Sequence, residues 1–299
     1  MERAKETRRE YTKLEKAKAV VVTLIALGGM ALGACTNNSG TTPGLSPNVT
    51  QGSSGNSSNS GTGSSPTSQP QSTGAWSSGK QIDTNTYSNG NFIGLTSVSC
   101  PTASFCVAGD SNGYEFTYSN GTWSSGQQLD PNGGLGSNTF DSVSCPTVSF
   151  CVAVDQSSNE YTYSNSTWSS GKQIDTNKYN GPNSVSCPTA SFCVAVGGNG
   201  YEYTYSNGTW SSGHQIDTAI SYGRDDSLGS VSCSTSSFCV AVDDGGYEFT
   251  YSNGTWSSGQ QIDTNYNTYA INLTSISCPT ARFCVAVNNF GYEFTFSKA

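Results

Sequence analysis

The sequence predicts an all-β fold: a five-bladed β-propeller of four-stranded antiparallel blades, preceded by a disordered tether. Three observations predict it. Trp-Ser-Ser-Gly recurs at Trp76, Trp123, Trp168, Trp210 and Trp256, in steps of 47, 45, 42 and 46 residues. Each repeat carries the same alternating, strand-like runs in the same order. No segment after residue 36 shows helical periodicity. Four short strands per repeat of this length is propeller arithmetic, whereas a trefoil needs three repeats and a β-solenoid shorter ones.

The first repeat shows how each strand is read. Ser97-Val98-Ser99-Cys100 forms a first strand and Phe105-Cys106-Val107-Ala108 a second. Tyr114, Phe116 and Tyr118 alternate with Glu115 and Thr117, the period of two that marks a third. Asn120-Gly121 is a type I′ hairpin signal and leads into a fourth strand, Trp123 to Asp130. That turn sets Tyr118 opposite Trp123 and Phe116 opposite the small Ser125.

The repeats begin with a fourth-strand motif at Trp76 and run to a third-strand motif at Tyr292–Phe296. The N-terminal segment Trp76–Asp83 is therefore expected to complete the last blade in a 1+3 closure, leaving no unpaired sheet beyond the blade rims. The domain boundaries follow: 1–34 a signal, 35–75 a linker, 76–299 the propeller.

Ten cysteines form five pairs spaced six apart: Cys100/Cys106, Cys145/Cys151, Cys187/Cys193, Cys233/Cys239 and Cys278/Cys284. The intervening loop turns the chain back, so the partners face each other as disulfides, each contributing about 2–3 kcal/mol. No zinc-type spacing competes with this reading. The sole histidine, His214, stands where other repeats have Lys80, Gln127, Lys172 or Gln260 and is no ligand. No cofactor and no metal is expected.

Residues 1–18 hold seven of the 13 basic residues, and an uncharged apolar run follows from Ala19 to Ala34. A basic stretch, an apolar stretch and small residues before a cut site read as a secretory signal. The ending Leu32-Gly33-Ala34-Cys35 resembles the lipobox of bacterial lipoproteins, which implies lipidation of Cys35 and a lipid bilayer as partner. The run is about 16 residues, short of the roughly 20 a spanning helix needs. The expected address is the outer face of a bacterial cell membrane. Thr36 to Ala75 is Ser, Gly, Thr, Asn, Pro and Gln without charge, a flexible tether with an r.m.s. reach of roughly 35 Å.

Composition narrows the function. The whole chain carries 21 acidic and 13 basic residues, a net charge of -8. Four of the acids and seven of the bases precede residue 19, so the exported part stands at -11. No basic run survives there, which argues against nucleic acid. One histidine in 299 residues removes most histidine-based catalysis.

All length variation lies between the fourth strand of one blade and the first strand of the next. From the second cysteine to the following Trp the spacing is always 17, while from Trp to the next first cysteine it runs 24, 22, 19, 23 and 22. Those connections share one propeller face, and the disulfide loops and Asn-Gly turns share the other. Variable loops on a rigid scaffold are where binding residues concentrate. They carry Tyr87, Asn91 and Phe92; Phe140 and Asp141; Tyr179 and Asn180; Tyr222, Arg224, Asp225 and Asp226; Tyr266, Asn267 and Tyr269. Aromatic faces beside amides and carboxylates suit a polyol, although a polar loop with an occasional rim tyrosine has the same composition. Asp110, Asp155 and Asp243 lie in the connections between second and third strands, with Gly197 and Asn288 at the matching places; they read as turn-capping residues and not as a calcium loop. The repeated Trp, the repeated Glu115, Glu160, Glu202, Glu248 and Glu293, and the Asp of each Gln-(Ile/Leu)-Asp recur at one position per blade, which points to structure.

The Tyr-Ser-Asn-Gly-Thr-Trp turns resemble the Asp-box, or BNR, repeats of sialidase-type propellers. Here Asn120 stands where that motif has Asp, and the spacing is shorter. The Ser-Val-Ser-Cys-Pro-Thr-Ala-Ser-Phe-Cys-Val-Ala block resembles repeats of uncharacterised secreted actinobacterial propeller proteins, over residues 76–299. Five blades with a repeated Trp are also similar in fold to the tachylectin-type lectins, which bind N-acetylated sugars between blades. Near-identical blades favour a non-catalytic binding module for a glycan or an envelope protein, because repeated equivalent pockets give avidity. Two other readings stand beside it. A glycoside hydrolase needs two carboxylates about 5–10 Å apart, with Asp141, Asp225, Asp226 and Asp244 as the non-repeated acids; a sialidase-type arginine triad is missing, since only Arg224 and Arg282 follow the signal. A protein-interaction scaffold of the envelope is the third.

Overall fold

A computed structural model describes residues 76–84, 87–88, 91–129, 139–177, 180–218, 220–221, 224–225, 227–264 and 272–298. The signal, Cys35 and the tether lie outside the described residues. The blades belong to one unit, Gly74–Ala299.

Five antiparallel sheets follow one another along the chain. Their first strands are Leu95–Thr102, Phe140–Thr147, Pro182–Thr189, Leu228–Thr235 and Leu273–Thr280. Their second strands are Phe105–Asp110, Phe150–Asp155, Phe192–Gly197, Phe238–Asp243 and Phe283–Asn288. The third strands are Tyr114–Ser119, Asn159–Ser164, Tyr201–Ser206, Tyr247–Ser252 and Glu293–Ser297. Blades 1 to 4 each add an outer strand made of two short pieces, such as Thr122–Trp123 and Gln127–Gln128 in blade 1. The all-β, bladed architecture expected from the repeats is present.

The repeat motif explains the broken outer strand. Trp123 pairs with Tyr118 in register, and their rings sit 5.4 Å apart. The chain then leaves the ladder, and the Ser124 hydroxyl accepts the Thr117 N–H at 2.9 Å in place of a backbone carbonyl. Gly126 lets the Phe116 ring come so close that a Cβ there would lie 2.7 Å from it. Phe116 therefore meets Gly126 and not the expected Ser125. Asn120 and Gly121 have φ of 47° and 96°, the two positive values of a type I′ turn.

All five cysteine pairs are disulfides, with Cα–Cα separations of 3.9–4.1 Å. They place the chain in an oxidising, extracytoplasmic compartment. The pairing is as expected. Cys151, Cys193 and Cys239 are 0% exposed and belong to the apolar joints between blades. The reason is topological. Each lies on a second strand, which is flanked by the first and third strands of its own sheet: Cys193 pairs with Tyr205, and Cys239 with both Cys233 and Tyr251. The loops between partners reach the rim, while Cys151, Cys193 and Cys239 are core residues that no ligand reaches. Among the described residues no helix is long and apolar enough to cross a membrane.

The apolar core is not one mass but a row of joints between blades. Val107 and Leu129 of blade 1 pack on Phe140, Val143 and Tyr161 of blade 2. Val152 and Val154 meet Val185, Tyr203 and Trp210 at the next joint, and Val194 and Val196 meet Leu228, Val231 and Phe249 at the third. Val240 and Val242 meet Leu273, Ile276 and Ala286 at the fourth. The repeated Trp of blades 2, 3 and 4 pack into these joints.

Serine hydroxyls stitch the same joints. A first strand is the inner edge of its sheet, so its outward N–H groups need partners. Ser97 and Ser99 Oγ accept Val143 and Cys145 N–H at 3.1 and 2.9 Å. Ser142 and Ser144 accept Val185 and Cys187, and Ser184 and Ser186 accept Val231 and Cys233. Ser230 and Ser232 accept Ile276 and Cys278. This is why Ser-(Val/Ile)-Ser-Cys recurs: the serines serve the next blade, and the aliphatic residue between them fills the joint behind.

Blades 1 and 5 do not share such a joint among the described residues. The last sheet has three strands, and Trp76–Asp83 pairs with none of them. The fourth strand expected from that segment is thus not formed in this structure, because the row of blades does not bring its two ends together.

Candidate functional site

Backbone hydrogen bonds fix which connections share a face. The Asn120, Asn207 and Asn253 N–H groups donate to Ser104, Ser191 and Ser237 carbonyls, tying each Asn-Gly turn to its own disulfide loop. The opposite face is tied by Ser111 N–H to Gly94, Gly198 to Gly181, Asp244 to Ser227 and Asn289 to Asn272. These bonds join the connection between second and third strands to the variable connection ahead of the first. One face is therefore a repeated rim, and the other carries every connection whose length varies.

On the variable face, short hairpins project ahead of blades 1 and 4. Tyr87 pairs with Phe92, and Ile220 with Asp225 next to Ser221 with Arg224. The candidates Tyr87, Phe92, Arg224 and Asp225 thus stand on small ribbons. Tyr179, Tyr222, Asp226, Tyr266 and Tyr269 lie outside the described residues. Phe140 is corrected from a loop platform to a core residue: it is 2% exposed, its ring is edge-on to Tyr161, and it belongs to the joint between blades 1 and 2.

Asp141 occupies a more informative place. It is the second residue of its first strand, a position held by Thr96, Asn183, Gly229 and Thr274 in the other blades. Thr96 Oγ1 donates across the joint to the Phe140 carbonyl, and Asn183 Nδ2 donates to the Leu228 carbonyl at 3.1 Å. The matching acceptor for Asp141 is the Pro182 carbonyl, to which an ionised carboxylate has nothing to donate. One carboxylate oxygen accepts Gln156 Nε2 at 3.1 Å and Thr139 Oγ1 at 3.2 Å. The other is buried without a partner. Burial pushes the Asp141 carboxyl up to about 7, and the negative Asp155 adds to the rise against the pull of the Gln156 and Thr139 bonds. Sequence reasoning singled out Asp141 but missed Thr96, Asn183 and Gln156. The signal was available: a position that varies as Thr, Asp, Asn, Gly and Thr directly before an invariant serine.

Several other acids among the described residues bind groups of the fold itself. Asp110 Oδ1 accepts the N–H groups of Asn112 and Tyr114, both at 2.8 Å, and Asp155, Asp243 and Asn288 repeat this on the residues two and four positions on. These are the turn caps the sequence predicted. Among the described residues no group of three potential metal ligands occurs. Blade 3 has Gly197 there and turns through a single 3₁₀ turn, Gly198–Gly200. Asp244 Oδ1 accepts the Ser227 N–H at 2.9 Å, which ties it to its loop. Glu115 takes the Thr117 hydroxyl at 2.8 Å and lies beside the Trp168 indole of the next blade. Its carboxyl is raised by burial, with Thr117 and Trp168 pulling the other way. Glu160 and Glu202 repeat this with Trp210 and Trp256. Asp175 is held below the usual carboxylate range: burial would raise it, but bonds from the Asn177 N–H, Tyr203 hydroxyl and Asn180 amide outweigh that.

No family model and no curated protein matches the sequence. Solved structures do match in shape. YCF48 bound to D1 peptide aligns at 16% identity and a TM-score of 0.48, covering 67% of this chain and 64% of that one. YCF48 from Cyanidioschyzon merolae aligns at 14% and 0.46, covering 64% and 66%. The WD40 β-propeller domain of Doa1 aligns at 10% and 0.50, covering 68% and 64%. This chain spans just under two thirds of the length of each of these structures. At such identity the likeness concerns the fold alone, and with the five repeated sheets it makes this chain an all-β propeller.

Proposed function

We propose that the chain is a non-catalytic binding module of the cell envelope, held to a membrane through a lipidated Cys35 on its tether, with the variable face turned to a carbohydrate ligand. The observation that carries this reading is the division of the two faces. One face repeats the same disulfide loop and Asn-Gly turn, and the other gathers every connection of variable length above a scaffold stitched by serines and disulfides. Such a division separates what holds the fold from what can be varied for a ligand. The aromatic, amide and carboxylate groups of those connections offer apolar platforms and hydrogen bonds to a polyol.

The test has two parts. The full chain is screened against cell-wall polysaccharides and a glycan array, then compared with a variant carrying Tyr222→Ala, Asp225→Ala and Tyr266→Ala. Binding that is lost in this variant, but kept when Asn120 and Asn207 on the opposite face are replaced by Gly, supports the reading. No glycan binding by the unaltered chain sinks the carbohydrate ligand. In cells, Cys35→Ala should release the protein from the membrane fraction, and continued attachment sinks the lipid anchor.

A further inference from the structure

Along the variable face, the buried Asp of a Gln-(Ile/Leu)-Asp motif comes to the turn between the second and third strands of the blade that follows it, and a carboxylate buried there needs a hydrogen-bond donor. In blade 5 the donor is an amide. Asn288 Nδ2 reaches the Asp263 carboxylate at 2.7 Å, while Asn288 Oδ1 still caps its turn by accepting the Phe290 and Tyr292 N–H groups. In blade 3 the cap position is Gly197, and the Tyr203 hydroxyl and Asn180 amide donate to Asp175 at 2.7 and 3.1 Å. In blade 2 the cap is itself an acid, Asp155, whose Oδ2 accepts the Tyr161 hydroxyl and the Asn159 amide, both at 3.0 Å.

Blade 1 carries neither the amide nor the tyrosine. Its cap is Asp110, an acid where blade 5 has Asn288, and its third strand has Phe116 where blades 2 and 3 have Tyr161 and Tyr203. Asp110 is 0% exposed. Its Oδ1 accepts the Asn112 and Tyr114 N–H groups, and its Oδ2 is buried with no hydrogen-bond partner among the described residues. Asp83, which holds the place of Asp263 in its own Gln-Ile-Asp motif, is buried too, and its charge acts on Asp110. Leu95, the register partner of Asp110 on the first strand, and Phe116 on the third bring no charge of either sign. Two carboxylates buried side by side oppose each other's ionisation, and one proton between them both lifts the repulsion and supplies the missing donor.

We infer that Asp83 and Asp110 are an acid pair that holds one proton: protonated Asp110 Oδ2 donates to Asp83 as Asn288 Nδ2 donates to Asp263. Burial raises the Asp110 carboxyl above its ordinary 3.8 and the charge of Asp83 adds to the rise, against the pull of the Tyr114 and Asn112 N–H bonds. The pair joins the residues ahead of blade 1 to the blade itself, next to the variable connection whose Gly94 carbonyl accepts the Ser111 N–H. It is a clasp that acid keeps shut. Below 3.8 the folded and unfolded carboxyls are both protonated and the contact is fully stabilising; as pH rises through the raised folded value the proton leaves and two carboxylates face each other. Blade 4 carries the same set of residues, Asp217, Asp243 and Phe249, and the same bond is expected there.

Carbon-13 labelling of the Asp carboxyls reads the proton by NMR on the full chain, the Asp110 signal being identified by its loss in Asp110→Asn. That signal should titrate well above 3.8, and titration of both Asp83 and Asp110 near 3.8 overturns the proposal. Phe116→Tyr brings in the hydroxyl of blades 2 and 3 and should lower the Asp110 midpoint; a midpoint that stays in place counts against a missing donor. Asp110→Asn keeps the turn cap, as Asn288 shows, so its Tm should differ little from the parent at pH 4 and exceed it by roughly 2–4 °C at pH 8. An equal difference at both pH values overturns the shared proton. Calcium chloride that raises the Tm of the parent at pH 8, but not that of Asp110→Asn, would assign the pair to a divalent cation and overturn it as well.

Discussion

The Ser144 hydroxyl accepts the Cys187 N–H at 2.9 Å, a hydrogen bond that leaves one blade and ends in the next. Cys187 sits on the inner edge of its sheet and is buried, so no water replaces a lost partner. Ser144→Ala should therefore cost about 1–2 kcal/mol, the penalty of an orphaned N–H more than of the bond itself. Chemical unfolding of the variant measures it, and Ser144→Thr should recover part of the loss because the hydroxyl is kept. Equal stability of Ser144→Ala and the parent would show that the serine ladder is incidental.

Blade 2 departs from its sisters at two turns, and both departures are uncomfortable. Ser158 has φ of 65° where blades 1, 3, 4 and 5 have Gly113, Gly200, Gly246 and Gly291, and its buried hydroxyl has no partner. Ser166 has φ of 63° where Gly121, Gly208 and Gly254 stand in the other type I′ turns. Left-handed backbone costs a residue with a Cβ about 1 kcal/mol. Ser158→Gly and Ser166→Gly should each raise the Tm, the first by more because it also removes the unpaired hydroxyl. A lower Tm for both would contradict this account.

Asp141 should make stability fall as pH rises. Its folded pKa, about 7, stands above the ordinary value of 3.8, so below that value both folded and unfolded carboxyls keep their proton and no penalty exists. Between the two values the unfolded chain ionises and the folded one does not, and stability is lost until the folded group titrates. Asp141→Asn removes that slope and supplies a donor toward the Pro182 carbonyl, as Asn183 does toward Leu228. The variant should gain roughly 1–3 kcal/mol over the parent at pH 8 and little at pH 4. Urea unfolding at the two pH values checks it, and an equal gain at both would rule out the titration.

Much of this was written in the repeats. The Trp-Ser-Ser-Gly period, the Asn-Gly turns and the cysteine pairs each express a local rule, so the strands, the Tyr118–Trp123 register and the five disulfides followed from spacing. The two faces were also legible, because length variation is confined to one connection. What was not legible depends on neighbours far apart in sequence. The serines looked like small strand residues until the next blade showed what they bond. Spacing paired Cys151, Cys193 and Cys239 with their partners, but their complete burial comes from the strands and blade packed around them. Phe140 looked like a loop aromatic because the first strand begins earlier than its Ser-Val-Ser-Cys block. Asp141 could be flagged as non-repeated, yet its raised pKa rests on Gln156, Thr139 and Asp155, which no spacing rule connects.

The glycines of the Asn-Gly turn and of Trp-Ser-Ser-Gly separate two physical effects that are usually mixed. At Gly121 φ is +96° and a Cβ would meet nothing within 4 Å, so Gly121→Ala feels only backbone strain. At Gly171 no left-handed φ is involved, and a Cβ would lie 2.8 Å from the Tyr161 ring, so Gly171→Ala feels only the collision. Gly126 has both, with φ of +82° and the Phe116 ring at 2.7 Å. Strain of this kind costs about 1 kcal/mol and overpacking against a buried ring about 1–3 kcal/mol. The three alanine variants should therefore rank in stability as Gly121→Ala, then Gly171→Ala, then Gly126→Ala, the last losing close to the sum of the other two. Gly126→Ala falling level with Gly121→Ala would mean that the Phe116 ring yields freely and that the motif glycine serves the backbone alone.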